Sequence, residues 1–498
     1  MTHKDYRLIT PGIYVKEQWT LLVRLERIPI MANKLPKNIN PSISKSEMIL
    51  TGPLYQVIWT ISLPLIINNL IMTFYNMADA VFVGQLGETE FAAVSFVNPV
   101  MFLFNSIGLG IQIAGTSILS QLIGRNKTSE GKAYAWHIML FTVLIGLLLG
   151  VLGWFATPFI VAFMGGSGKF GELSNIYLRY IFIGIPPHII FMGFMAIMNA
   201  QGNTKSTTLV NSAAAILNVI IDPFFIFSTI PLINLPGLGL GVAGAALATS
   251  LSHVFLMILG FYVMRRTSKT LPVVFRNIPF DPKKLKRIIS VGLPSSAGHS
   301  GAAFGFIIIN TFIAKYGTSL IAAFSLINRI NNMIMMPAMG IGSGLTSIVG
   351  QNMGAGKMDR IREGFHKAIK MSLVISVVGT ILIYIFRYQL LFFFTPTAGP
   401  TMVQQSMEYL VYILPTIPLM GLFSIFQGLF QGSGHTNYSM FMAIGRLWLV
   451  RIPMILLFEH FTGLGQRGIW ISMNVSNILV IVYGFWIYRS NRWTTHVL

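Results

Sequence analysis

Apolar positions along the chain gather into runs of roughly 20 or more residues, the length an α-helix needs to cross a bilayer. Six such runs lie at about 58–84, 92–122, 133–156, 176–199, 207–229 and 240–264. A polar, basic stretch over 265–287 interrupts the series, and six further runs follow at about 289–314, 319–349, 367–394, 409–431, 438–460 and 468–489. The pattern predicts an all-α membrane protein with twelve transmembrane helices. It divides the chain into a polar, basic extension (1–50), a first lobe (51–264), a cytoplasmic linker (265–288), a second lobe (289–489) and a short tail (490–498).

The two lobes repeat one another. Shifting the chain by 230 positions aligns 63–127 with 293–357 without a gap and gives 17 identities in 65 positions, among them Pro64 with Pro294, Gly87 with Gly317, Gly110 with Gly340, Gln121 with Gln351 and Gly124 with Gly354. At a shift of 232, Tyr177, Leu178, Tyr180 and Pro186 pair with Tyr409, Leu410, Tyr412 and Pro418, and Gly202 and Thr204 with Gly434 and Thr436. An even number of spans per half makes both halves enter the membrane in the same direction. The expected architecture is therefore two six-helix bundles related by a pseudo-two-fold axis along the membrane normal, with a cavity between them. Such repeats characterise secondary transporters, in which one half rocks against the other.

Composition agrees with the pattern: 54% of the 498 residues are apolar, 10% are charged, and the mean hydropathy is +0.68. The absence of cysteine excludes disulfides, zinc fingers and a thiol nucleophile. A net charge of +20 fits a nucleic-acid reader only when basic residues occupy solvated domains, and here they fall between apolar runs. With both termini placed in the cytoplasm, inside loops and tails hold 27 of the 35 Lys and Arg residues. Outside loops hold five (Lys169, Arg179, Lys315, Arg387, Arg467), and Arg329, Arg446 and Arg451 lie within apolar runs. The positive-inside rule fixes that orientation, predicting a multi-pass inner-membrane protein whose basic side meets anionic lipid. Residues 1–46 lack the apolar core and cleavage site of a signal peptide. Within them, 19–30 reads either as an amphipathic surface helix or as part of a reading frame opened upstream of Met31 or Met48.

Of the 15 acidic residues, 13 sit in loops, tails or span ends, including Glu408 at the start of the tenth span; only Asp79 and Asp222 lie deep. A charged carboxylate at the bilayer centre costs roughly 2.5–3.5 kcal/mol on insertion scales, so it normally faces a cavity and serves ion or proton handling. Asn68, Tyr75 and Asp79 stand at i, i+7 and i+11 in the first span and share one helix face. Asn211, Asn218 and Asp222 repeat the spacing in the fifth, where Pro223 is expected to kink the helix and free a carbonyl. These stripes predict one hydrated pocket, with Asn199 as a further cavity candidate. Two chemistries fit. A low dielectric and a neighbouring carboxylate both favour the protonated acid, which suits proton coupling. The same oxygens at Asp79, Asp222 and Asn218 suit a sodium ion, since hard cations prefer oxygen ligands. The plain alternative for the Asn residues is interhelical hydrogen bonding.

Neither carboxylate is repeated in the second half: Asp79 aligns with Ile309, and the Asp222 region with Ile452 beside Pro453. That half offers His299, Asn310, Asn328, Arg329, Asn331, Asn332, Arg446 and Arg451 within spans, of which His299, Asn310 and Arg329 are candidates for substrate contact or gating, against structural pairing or snorkelling. No P-loop, metal-binding His pair or Ser-His-Asp set occurs, so neither an ATP-driven pump nor an enzyme is expected, and no cofactor beyond a coupling H+ or Na+. The 27 Met residues suit an adaptable cavity as well as core filling.

Residues 74–87 read FYNMADAVFVGQLG, 202–205 read GNTK after the fourth span, and 218–224 read NVIIDPF. Together they resemble the MATE (multidrug and toxic compound extrusion) family, in its DinF-like and MepA-like branches, and the likeness extends over 50–490. The resemblance implies a secondary active multidrug efflux transporter exchanging lipophilic and often cationic drugs for H+ or Na+ by alternating access; a monomer is expected because the two lobes already form a complete pathway. Carried over by motif, Asp79, Tyr75, Asn218 and Asp222 form the cation site, with Thr249 of the sixth span as a further match. External ions would load this site, bend the first span and displace the drug outward. The NorM-like branch uses carboxylates in its second half; here the seventh span has none and the tenth none beyond Glu408, which favours protons. The alternative is a flippase for a lipid-linked glycan precursor, which Arg329 and Arg451 keep open.

Overall fold

The computed structural model describes residues 45–231, 234–268, 270–271, 279–395 and 399–495, so the reading of 19–30 lies outside the described residues. Among the described residues, twelve helices are long and apolar enough to cross a membrane: Leu54–Gly84, Glu88–Gly124, Thr128–Phe163, Gly168–Ala200, Thr204–Ile226, Gly241–Thr267, Pro282–Ala314, Thr318–Gly354, Met358–Ile385, Pro400–Gly432, Thr436–Phe461 and Gln466–Arg489. They are the first to twelfth spans, and among the described residues no β-sheet accompanies them.

Helix ends depart from the apolar runs where capping or proline overrides hydropathy. The seventh span begins at Pro282, well before its apolar run, because the Asp281 carboxylate accepts the Lys283 N–H at 2.9 Å and proline suits the first helical position. The ninth apolar run is divided: the span stops at Ile385 and a separate helix occupies Arg387–Phe394. In the tenth span a 3-10 turn at Leu414–Thr416 separates Pro400–Ile413 from Ile417–Gly432, where Pro415 and Pro418 withhold backbone donors.

Spans one to six and seven to twelve form two six-helix bundles. The repeat reaches the backbone: the turns at Gly87 (φ 143°) and Gly317 (φ 100°), and at Gly202 (φ 72°) and Gly434 (φ 84°), need positive φ at matched positions. One apolar core fills the first lobe around Ile118, Phe182 and Phe191. Two fill the second, around Phe365 and Phe426 and around Leu447 and Trp470. Outward faces are apolar as well; Leu152, Phe155, Phe159 and Phe163 of the third span are exposed on a face that suits lipid.

The lobes meet through the first, second, seventh and eighth spans, and the contacts obey the repeat. A β-carbon on Gly110 would collide with Ser296, and one on Gly340 with Ile66, the residue aligned with Ser296. The Gln121 side chain donates to the Gly432 carbonyl at 3.1 Å, and Gln351 donates to the Ala200 carbonyl at 2.7 Å. Ser347 Oγ donates to the Asn199 carbonyl at 2.7 Å, and Ser117 Oγ to that of Gly432 at 3.3 Å. These bonds close the end of the molecule at which the second and eighth spans finish.

A short helix, Lys45–Thr51, which the hydropathy pattern groups with the polar extension, packs on this closed end. Lys45 donates to Asn203 of the first lobe, and Ser46 Oγ donates to Gln351 Oε1 of the second at 2.9 Å. Ile49 is fully buried in a second-lobe core while touching Gly202 of the first, and Arg360 donates to the Ile49 carbonyl.

Candidate ion-coupling site

The first and fifth spans run side by side in a fixed register. Thr204 Oγ1 donates to the Ile61 carbonyl at 2.9 Å, a separation of 143 positions, and Thr208 Oγ1 to the Pro64 carbonyl at 2.8 Å. The same offset of 143 carries Asn68 to Asn211, Tyr75 to Asn218 and Asp79 to Asp222. Equal spacing on two parallel helices in register places like with like, which is why the carboxylates arrive at one level.

Asp222 and Asn218 are buried, at 0% and 1% exposure, whereas Asp79 and Tyr75 are partly open. The Tyr75 hydroxyl has Asp79, Asp222 and Thr249 as its electrostatic neighbours. Asp79 Oδ1 and both Asp222 oxygens are buried without a well-formed hydrogen bond, the Asn218 amide being the polar neighbour of Asp222. Buried polar atoms are almost always satisfied, so a concentration of orphans calls for an occupant. An ionised carboxylate is an acceptor only, and a proton or a hard cation satisfies such oxygens. Among the described residues, no group of three or more His, Asp or Glu side chains is placed to hold a metal.

The structure thus brings together Asp79, Tyr75, Asn218, Asp222 and Thr249. It adds Tyr177 of the fourth span, whose electrostatic neighbours are Asp79, Tyr75 and Asp222. Sequence reasoning placed Tyr177 only in the repeat, opposite Tyr409; an aromatic hydroxyl recurring in both halves was the available signal. Asn68 and Asn211 lie eleven residues down their helices, about 16 Å away, where Asn211 faces the Met195 sulfur. The cavity expectation for Asn199 is corrected: its side chain accepts from Thr207 and its carbonyl from Ser347, at the closed end. It lies 22 residues beyond Tyr177 on one continuous helix, about 33 Å, too far to reach the carboxylates. His299 and Asn310 lie on the seventh span and Arg329 on the eighth, and none of them is an electrostatic neighbour of either aspartate.

Paired, repeated bundles that close at one end are the architecture of membrane transporters that work by alternating access. The chain matches the MatE family over residues 64–224 and 294–457, one match per lobe, and belongs to that family. It is a multi-pass membrane transporter, not an enzyme. It is 25% identical over 434 residues to the probable multidrug resistance protein YoeA of Bacillus subtilis, covering 85% of this chain and 91% of that protein. It is likewise 25% identical to a FAD transporter of Shewanella oneidensis, over 87% of this chain and 94% of the relative. A crystal structure of a MATE protein in complex with MaL6 superposes with a TM-score of 0.83 at 25% identity, covering 90% of this chain and 98% of the other.

Proposed function

We propose that the protein is a secondary active multidrug efflux antiporter of the cell membrane, exchanging lipophilic, cationic drugs for protons, with Asp79 and Asp222 as the coupling groups. Carrying this reading is the in-register pair of carboxylates, three of whose oxygens are buried without a well-formed hydrogen bond. Basic residues at the closed end, such as Arg125, Lys205, Arg287 and Lys357, suit a cytoplasmic placement under the positive-inside rule. Both termini are then cytoplasmic, and the carboxylates lie nearer the outside.

The physical logic is competition and differential binding. A cationic drug and a proton both neutralise the carboxylates, so one displaces the other. An ion that binds the two access states unequally shifts their populations by that difference. Sodium at the same oxygens is the variant of this scheme. The names of the relatives, several of them multidrug proteins, support the substrate class.

The test is ethidium efflux from membrane vesicles under imposed proton or sodium gradients, comparing wild type with Asp79→Asn and Asp222→Asn. Gradient-driven efflux in wild type that both variants lose at normal expression supports the reading and names the ion. Full efflux in Asp79→Asn removes the coupling role. Normal expression with no efflux of any cationic dye favours the glycan-flippase alternative.

A further inference from the structure

The second lobe holds a charge arrangement of the opposite sign. Its eleventh span is interrupted by a π-helical segment, Gly445–Arg451, between the α-helical stretches Thr436–Ile444 and Ile452–Phe461. Residues five apart diverge by about 140° around an α-helix, but the wider π turn, with i to i+5 bonding, brings them onto one side. Arg446 and Arg451 are five apart, and Arg446 is an electrostatic neighbour of Arg451.

Arg451 is fixed and shut in, with 4% exposure. Its Nε donates to Ser476 Oγ at 2.9 Å, and one terminal nitrogen donates to Asn477 Oδ1 at 2.7 Å and to the Met473 carbonyl at 3.5 Å. Arg446 is partly exposed and less provided for: its guanidinium lies 4.8 Å over the Phe423 ring, it faces the Met420 sulfur, and its buried Nε has no partner. The carboxylates Asp281, Asp359, Glu363, Glu408 and Glu459 pair with Lys284, Arg362, Lys367, Arg467 and Lys315 at the span ends. Among the described residues neither Arg446 nor Arg451 has a carboxylate partner. Two like charges inside a membrane protein without a counterion are costly, and a guanidinium whose Nε has no partner keeps a donor that suits an oxyanion.

The repeat sharpens the contrast. Tyr177 is an electrostatic neighbour of the aspartates in one lobe, and its partner Tyr409 is one of Arg451 in the other.

We propose that Arg446, brought to the same side of the eleventh span as Arg451 by the π turn, is the binding site for the phosphate or carboxylate group of an amphipathic ligand whose apolar body packs on Met420 and Phe423. The transporter's two lobes then read opposite charges, and its substrates include zwitterionic and anionic molecules as well as cations. The site rests on the transporter reading for the ligand's access route, but it binds without any gradient, so a failure of ion coupling leaves this inference standing.

Fluorescence titration of flavin mononucleotide and of riboflavin, which differ only by the phosphate, into protein held in phosphatidylcholine nanodiscs is the test. Wild type should prefer the phosphorylated flavin by about tenfold or more. Arg446→Gln should bring the ratio near one without lowering the affinity for riboflavin, and Arg446→Lys should retain part of the preference. Should Arg446→Gln fail to fold, judged by its thermal transition, Arg446→Met keeps the stem packing and takes its place. Equal binding of the two flavins by wild type, or a preference that survives removal of the guanidinium, overturns the proposal. A preference present in phosphatidylcholine but abolished in phosphatidylglycerol nanodiscs supports the oxyanion site and assigns its occupant to lipid headgroups; one that persists assigns it to soluble ligands.

Discussion

Gly124 lies so close to Gln351 that a β-carbon on it would stand 2.0 Å from the Gln351 carbonyl oxygen, and Gly354 meets the Gln121 carbonyl at the same distance. The two contacts exchange under the repeat, so the closed end is a symmetric backbone-to-backbone seam that a single methyl group wedges open. Gly124→Ala and Gly354→Ala should each shift the protein away from the closed-end state, and the double variant further. The chain contains no cysteine, so Ser347→Cys supplies a single thiol at the seam. Its maleimide labelling should rise at least a few-fold in the glycine variants, and unchanged labelling would mean that the seam absorbs the methyl group.

The Lys45–Thr51 helix ties both lobes to that seam. Ile49→Ala removes a fully buried side chain and should cost about 2 kcal/mol or more. It should lower the thermal transition and raise labelling at Ser347→Cys. A chain beginning at Met48 loses the Lys45–Asn203 and Ser46–Gln351 bonds but keeps Ile49, and should fall between wild type and Ile49→Ala in both readouts.

Tyr177 separates the structural view of the site from the motif alone. Tyr177→Phe removes a hydroxyl beside both carboxylates and should slow gradient-driven ethidium efflux roughly fivefold, the equivalent of about 1 kcal/mol. Tyr409→Phe, which removes a hydroxyl bonded to Asn328 at 3.2 Å, should leave ion dependence intact. Equal effects on ion dependence would place Tyr177 outside the coupling site.

Asp281 gives a pH test at a membrane edge. Bonds from the Lys284 ammonium and the Lys283 backbone hold its carboxyl below the usual carboxylate range, while its own N–H donates to His137 Nε2 at 2.8 Å. A group whose folded value is depressed stabilises above its unfolded value, and that contribution is lost as pH falls through the folded value. The thermal transition of wild type should therefore exceed that of Asp281→Asn at neutral pH, with the difference shrinking as pH drops below the ordinary carboxylate range. A pH-independent difference would mean that the charge of Asp281 does not contribute to stability.

The sequence by itself determined the twelve spans, the two-lobe repeat and the identity of the deep carboxylates. The physical reason is that crossing hydrocarbon demands long apolar runs, and an acid inside one is too costly to occur without a use. Equal i, i+7, i+11 spacing also showed that Asp79 and Asp222 end matching stripes. The register that brings those stripes to one level was decided by Thr204 and Thr208 bonding to the first span, and one-dimensional spacing carries no such information. The removal of Asn199 to the closed end, the entry of Tyr177 into the site, and the role of Lys45–Thr51 as a strap across both lobes all depend on which helix packs against which. The pairing of Arg446 with Arg451 goes furthest beyond the sequence: on an α-helix five residues separate their faces, and only the π turn made in the folded bundle brings them to one side of the span.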